Sequence, residues 1–336
     1  MKFHGRKLVL LLGILATLQG CKTVYGTAYT YLSVLNPLTN ETVDLKLQLA
    51  KPPADTPTLS NGYYPGIIFV HGGSWEINTR LSDGFDQAIN TAAQNGYVAV
   101  SVDYRLATRD ANGQVAFPWP AQIQDVKCAI RWLRSHATDF NLDPDRIGIV
   151  GISSGGQLAL MASETPNNSA FEAPECENAA TSEVQAAVSY SGVADMVSSW
   201  NGSGFLRAKI LKLVDADDST AVTFDQLQPS TQTLAKGASP LEYIGSSDVP
   251  VLISHPQNDI IVPPENSLIY YQSLIDNGRI GYLLKLDRGG HFTNQEGTDA
   301  RAYSDIQMYK WFDMYLKDIP ADMPCGNAST CDIVVP

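Results

Sequence analysis

The stretch 146–161 constrains this chain more than any other: Arg-Ile-Gly-Ile-Val-Gly-Ile-Ser-Ser-Gly-Gly-Gln-Leu-Ala-Leu-Met. A short β-branched run (Ile147, Ile149, Val150) ends in Gly151-Ile-Ser153-Ser-Gly155, and a helical apolar pattern (Leu158, Ala159, Met161, Ala162) begins at once. The pattern predicts strand, tight turn, helix. Small residues two before and two after Ser153 let strand and helix pack closely enough to force the serine into a strained, exposed turn. The helix would aim its free N–H groups, that of Ser154 included, and the positive end of its dipole at the same point. Ser153 is therefore the candidate nucleophile, and Ser154 a candidate oxyanion donor.

A serine hydroxyl needs a base. Of five histidines, His4 falls in the N-terminal leader, His136 sits at a helix end, and His71 and His255 each close a predicted strand. His291, in Arg288-Gly-Gly-His-Phe-Thr, lies in a glycine-flanked loop after the last predicted parallel strand, where its side chain can reach over the elbow. The base in turn needs a carboxylate to fix its tautomer. Asp259, on the loop after the strand before last, is the candidate, with Asp195 and Asp287 as rivals. The chain order Ser153, Asp259, His291 is that of α/β-hydrolases. His71-Gly72-Gly73-Ser74-Trp75 follows a buried strand, and its consecutive glycines would let backbone N–H groups face a developing oxyanion. Gly73 with Ser154, and Gly72 as a third, are the expected donors. Trp75, and Trp200 in the segment over the site, are expected to line an apolar acyl pocket.

The rest of the chain supplies a frame for that site. Segments 25–35 and 42–50 alternate apolar and polar residues about a turn and read as an antiparallel hairpin at a sheet edge. Strands at 66–70, 97–102, 184–190, 251–254 and 281–286 alternate with helices at 120–136, 264–276 and 302–316, which implies a mostly parallel sheet with helices on both faces. The expectation is one α/β-hydrolase-type domain over 21–336, with 193–243 inserted as a cap over the strands' C-terminal edge.

Residues 1–20 stand apart. Lys2, Arg6 and Lys7 precede the apolar run 8–18, which is too short to span a bilayer and has the layout of an export signal. Leu18-Gln-Gly-Cys21 resembles a bacterial lipobox, so Cys21 is expected to be acylated and the protein to be exported and anchored to a bacterial membrane, the outer one where the source has two, with a periplasmic or secreted protein as the alternative. Setting Cys21 aside leaves an even set of cysteines. Cys325 and Cys331 read as a small disulfide loop, and Cys128 with Cys176 pair by remainder. Loss of the leader's three cations takes the formal net charge from −12 to −15, which argues against nucleic acid and against anionic membrane surfaces as partners. Contact with a membrane is expected only through the lipid. No cysteine or histidine spacing suggests a metal site, and no cofactor is expected.

His71-Gly-Gly, Asp103-Tyr-Arg-Leu-Ala107, Phe117-Pro-Trp-Pro-Ala-Gln-Ile-Gln-Asp125, Asp143-Pro-Asp-Arg-Ile147, the elbow and Asp259-Ile-Ile-Val-Pro263 together resemble the esterase/lipase branch of the α/β-hydrolases. They are similar to hormone-sensitive-lipase-like carboxylesterases and to bacterial feruloyl or acetyl-xylan esterases over roughly 60–318. The resemblance implies a metal-free and cofactor-free serine hydrolase that forms an acyl-enzyme, with Asp103 and Arg105 as a structural ion pair. Together with the acidic surface and the cap, it implies small neutral esters as substrates, acetyl or aromatic esters on plant glycans among them. A peptidase or amidase on the same fold, and a non-catalytic binding protein on a hydrolase scaffold, are the competing readings.

Overall fold

The computed structural model describes residues 26–176, 180–291, 299–326 and 328–335. The leader and Cys21 lie outside the described residues. Among the described residues nine strands form one sheet in the order β1-β2-β4-β3-β5-β6-β7-β8-β9. Strands β1 (Thr27–Leu35) and β2 (Thr42–Ala50) are the antiparallel hairpin expected from their alternation, and β2 also runs antiparallel to β4 (Val98–Val102). From β4 onward, through β3 (Tyr64–Val70), β5 (Leu142–Ile152), β6 (Ala186–Tyr190), β7 (Val251–Pro256), β8 (Gly281–Leu286) and β9 (Thr330–Val335), every pairing is parallel.

The continuous apolar runs of the central strands are what burial on both faces requires. All seven residues of β3 are buried, with Ile68 and Val70 in the core on one face and Ile67 and Phe69 in the core on the other. Helices α2 (Ala121–Ser135), α4 (Ser154–Glu164) and α8 (Glu265–Asp276) complete the first layer. Helices α1 (Phe85–Gln94) and α9 (Asp299–Leu316) complete the second. The short α3 (Ala137–Phe140) leads into β5. Register matters more than layer count for the site. Val70 pairs with Gly151, Ile152 with Tyr190, and Tyr190 with Ser254, so these strands end at one level and the loops that follow open on one edge.

Residues 193–243 form α5 (Met196–Gly202), α6 (Gly204–Leu213) and α7 (Pro229–Gly237). The segment leaves and rejoins the sheet at one place, where Leu241 N–H donates to the Ala194 carbonyl at 3.1 Å. Its apolar residues Leu206, Ile210, Leu213 and Phe224 are continuous with the core beneath.

Two features depart from the sequence reading. The C-terminal Thr330–Val335 is a ninth strand, held parallel on β8, where only a disulfide loop is expected. Asp103 and Arg105 do not pair with each other. Asp103 receives Arg80, whose Nη1 lies 2.9 Å away, and Arg105 turns the other way to the buried Asp125, its Nη2 2.7 Å from a carboxylate oxygen. Each finds its opposite charge on a different element, Asp103 on the loop that carries Arg80, and Arg105 on α2. Cys128 pairs with Cys176 and Cys325 with Cys331.

Candidate active site

At the turn from β5 into α4, Ser153 has φ 56° and ψ −122°, a conformation that costs a side-chain-bearing residue and persists only where its surroundings impose it. The glycines do so. A Cβ on Gly151 would stand 2.0 Å from the Gly155 carbonyl oxygen, and one on Gly155 would stand 2.1 Å from that of Val70, so strand, turn and helix meet at distances closed to any other residue. Ser153 N–H is tied to the Tyr190 carbonyl at 2.8 Å, and α4 is buried along its whole length. The nucleophile candidate is thus fixed on the rigid centre of the sheet.

His291 Nε2 lies 2.9 Å from Ser153 Oγ, and its Nδ1 lies 2.8 Å from Asp259 Oδ2. With the carboxylate ionised, Nδ1–H donates to Asp259 and the free Nε2 accepts the serine proton. The other oxygen of Asp259 accepts the N–H groups of Ile261 and Val262, both at 2.9 Å. Burial opposes ionisation of Asp259, but the hydrogen bonds and charges of His255 and His291 outweigh it and hold the carboxyl well below the usual carboxylate range. The rivals are elsewhere. Asp195 caps α5, accepting the N–H groups of Val197 and Ser198 at 3.0 Å each, and Asp287 is exposed.

His255 is the partner that sequence reasoning missed. Its Nε2 lies 3.3 Å from Asp259 Oδ2 and 3.0 Å from the Val262 carbonyl, while Ser267 Oγ lies 2.6 Å from its Nδ1. A carbonyl only accepts, so Nε2 carries a proton. Asp259 therefore stands between two imidazole donors. Its i,i+4 spacing from His255 is the one sequence signal that could have pointed there.

The oxyanion loop is rearranged relative to expectation. Gly72 N–H is already used, donating to Asp83 Oδ2 at 2.7 Å, so it does not serve as a third oxyanion donor. The N–H groups of Gly73, Ser74 and Ser154 donate to nothing among the described residues, and Gly73 and Ser74 line the cavity beside Ser153. Ser154 opens α4, so no helical carbonyl is available to it. A Cβ on Gly73, at φ 113°, would stand 2.4 Å from the Ile77 carbonyl oxygen, which restricts that position to glycine. Ser74 and Trp75 follow at φ 55° and 63°.

Neither tryptophan is where the sequence places it, and for Trp75 the two left-handed residues account for the difference. Trp75 is completely buried, its Nε1–H donating to Gln157 Oε1 at 2.9 Å beneath the elbow helix. Trp200 is 1% exposed and packs edge-on to Phe224 inside the cap. Neither lines the cavity. Its apolar wall comes from Ile77, Phe205 and Ile261, and its polar wall from Asn78, Ser82 and Asp83, around a volume of about 460 Å³ that Ser153 and His291 both reach. His71 is no second base: it is completely buried against Tyr104 and outside the cavity lining, with Nδ1 2.7 Å from the Gly72 carbonyl. Among the described residues, no three His, Cys, Asp or Glu side chains converge as metal ligands would.

A family model, BD-FAE, matches residues 55–274, which takes in the oxyanion loop, the elbow and Asp259. The chain belongs to the BD-FAE family. Its place in the esterase branch of the α/β-hydrolases agrees with its relatives. Esterase LipQ of Mycobacterium tuberculosis is 32% identical over 218 residues, 64% of this chain and 46% of LipQ. Esterase LipC of the same organism is 30% identical over 230 residues, 68% of this chain and 52% of LipC. The chain spans about half the length of the curated relatives it matches. In three dimensions this BD-FAE chain is similar to an esterase of Thermogutta terrifontis, Est2, with a TM-score of 0.67 and 24% identity over 87% of this chain and 93% of that one.

Proposed function

We propose that this chain is a serine carboxylic ester hydrolase acting through an acyl-enzyme on small neutral esters, with acetyl or feruloyl esters of plant glycans as the substrate class. The reading rests above all on one observation, the continuous run Ser153 Oγ, His291 Nε2, His291 Nδ1, Asp259 Oδ2 at hydrogen-bond distances beside donor groups with no other partner. Ser153 Oγ attacks the ester carbonyl carbon as its proton passes to His291 Nε2, and the carbonyl oxygen, now an anion, is held by the N–H groups of Gly73, Ser74 and Ser154. Asp259 stabilises the imidazolium so formed. His291 returns the proton to the departing alkoxide, leaving an acyl-serine, and a water deprotonated by the same histidine releases the acid.

The named esterases among the relatives support the reaction class. A cavity of about 460 Å³ with an apolar wall, on a chain of net charge −12, supports short neutral acyl or aromatic groups. The test is turnover of nitrophenyl esters of increasing chain length beside acetylated xylan, methyl ferulate and a peptide anilide. Best turnover on the anilide would overturn the ester reading. We also infer that Cys21 is acylated, on the strength of the basic, apolar and Leu18-to-Cys21 pattern. Cys21→Ser should then release the protein from the membrane fraction, and mass spectrometry finding an unmodified peptide running through Gly20 and Cys21 would contradict it.

A further inference from the structure

Asp83 is a charged residue in the cavity that the reaction as derived does not use. Its Oδ2 accepts Gly72 N–H at 2.7 Å, on the loop that carries the oxyanion donors. A Cβ built on Gly72 would stand 3.2 Å from Ser153 Cβ and 3.5 Å from Asp83 Oδ2, so the carboxylate and the nucleophile flank the same glycine. The residue is half-buried and lines the cavity together with Ser153 and His291, and its second oxygen has no partner among the described residues. The backbone there has φ 59°, the left-handed region in which Asn serves as well as Asp. An asparagine would fit the turn and accept the same N–H bond. The carboxylate adds only its charge.

Among the described residues, no ion pair cancels that charge. Arg301, whose guanidinium is favoured by Asp83, is itself joined to Asp305 at 2.8 Å, and Asp259 is matched by its histidines. On the cap side, Lys209 and Lys212 both reach one oxygen of Glu76, at 3.0 and 2.9 Å. An open carboxylate thus stands beside the serine in the cavity lining, while the lysines lie outside that lining, beyond Phe205, committed to Glu76.

We propose that Asp83 determines the charge specificity of this site: it admits esters whose acyl chain is neutral or carries an ammonium or hydroxyl donor, and rejects those that carry a carboxylate. A second negative charge within several ångströms, in a cavity less polarisable than water, is repelled strongly enough to cost tenfold or more in rate. The proposal rests on the ester-hydrolase reading and names the substrate class within it.

The test uses three substrates of equal length, ethyl hexanoate, monoethyl adipate and ethyl 6-aminohexanoate, followed by alkali uptake. The native protein is expected to favour the amino ester over the adipate by at least about tenfold in kcat/KM, with the hexanoate between or level with the amino ester. In Asp83→Asn and in Asp83→Ala that ratio should fall toward one. The ratio is taken within each variant, so a loss common to all three substrates cancels. A ratio unchanged in Asp83→Asn, or equal rates on all three esters in the native protein, would overturn the role of Asp83. Turnover of none of the three by the native protein would instead overturn the ester reading beneath it.

Discussion

Asp125 and Asp259 are both aspartates whose side chains are shut from solvent, both accept backbone N–H groups, and both face a basic partner. Asp125 holds Arg105, its Oδ2 taking the Arg105 N–H at 2.7 Å under the core. Asp259 holds His291 at the edge of a cavity, with His255 behind. A guanidinium does not give up its proton at any pH the protein meets, so the first pair is a fixed tie between the strand-end loop and α2. An imidazole exchanges its proton near neutrality, so the same carboxylate geometry becomes a device for moving one. The chemistry lies in the partner and its access to Ser153, not in the buried acid as such.

The comparison is broken most directly by removing the charge at each acid. Asp259→Asn should lower kcat on a nitrophenyl ester by about 10⁴, since the amide can leave His291 in the wrong tautomer, while the chain stays folded. A loss below about tenfold would return the acid's role to another carboxylate. Asp125→Ala should act in the opposite way, destabilising the fold by about 3–5 kcal/mol in denaturant unfolding because Arg105 is left buried without its counter-charge. Whatever Asp125→Ala remains folded should keep near-native kcat, and a fall comparable to that of Asp259→Asn would erase the distinction.

A smaller effect sharpens the account of Asp259. His255→Asn removes one of its two imidazole partners without touching Ser153 or His291, and should lower kcat about tenfold with little change in KM, the worth of one charge-assisted hydrogen bond. An unchanged kcat would make His255 a matter of packing alone.

The smallest effect is on stability against pH. The folded-state pKa of Asp259 is depressed, so its contribution is present above the unfolded value near 4 and is lost as pH falls through the lower folded value. The difference in stability between native protein and Asp259→Asn should therefore be widest near neutrality and narrow below about pH 4. A difference that is constant down to pH 3 would mean that the carboxyl is not held ionised by its histidines.

Residues whose position follows from strand ends were legible in the sequence. Ser153, Asp259 and His291 each sit in the loop after a buried apolar run, and parallel strands of matched register bring such loops to one edge. Residues whose direction depends on local backbone were not. Trp75 was expected in the cavity, yet left-handed φ at Ser74 and again at Trp75 accompanies an indole buried under α4, a reversal that no apolar pattern announces. Gly72 is indistinguishable from Gly73 in sequence, and only the arrival of Asp83, eleven residues on, removes its N–H from the donor set. Asp103 and Arg105 are adjacent enough to suggest a pair, but partners from the 72–83 loop and α2 win both. Strand β9 is short and follows a cysteine loop, and its six residues gain their partner only from β8.

The central claim is that Ser153 is the nucleophile driven by His291 and Asp259. Reaction of the native protein with a fluorophosphonate, followed by peptide mapping and parallel assay of nitrophenyl acetate, tests it most directly. The account predicts modification at Ser153 alone, in step with loss of ester turnover, and far slower modification in His291→Ala. Modification at another residue with Ser153 intact, or ester turnover that survives in Ser153→Ala, would contradict it.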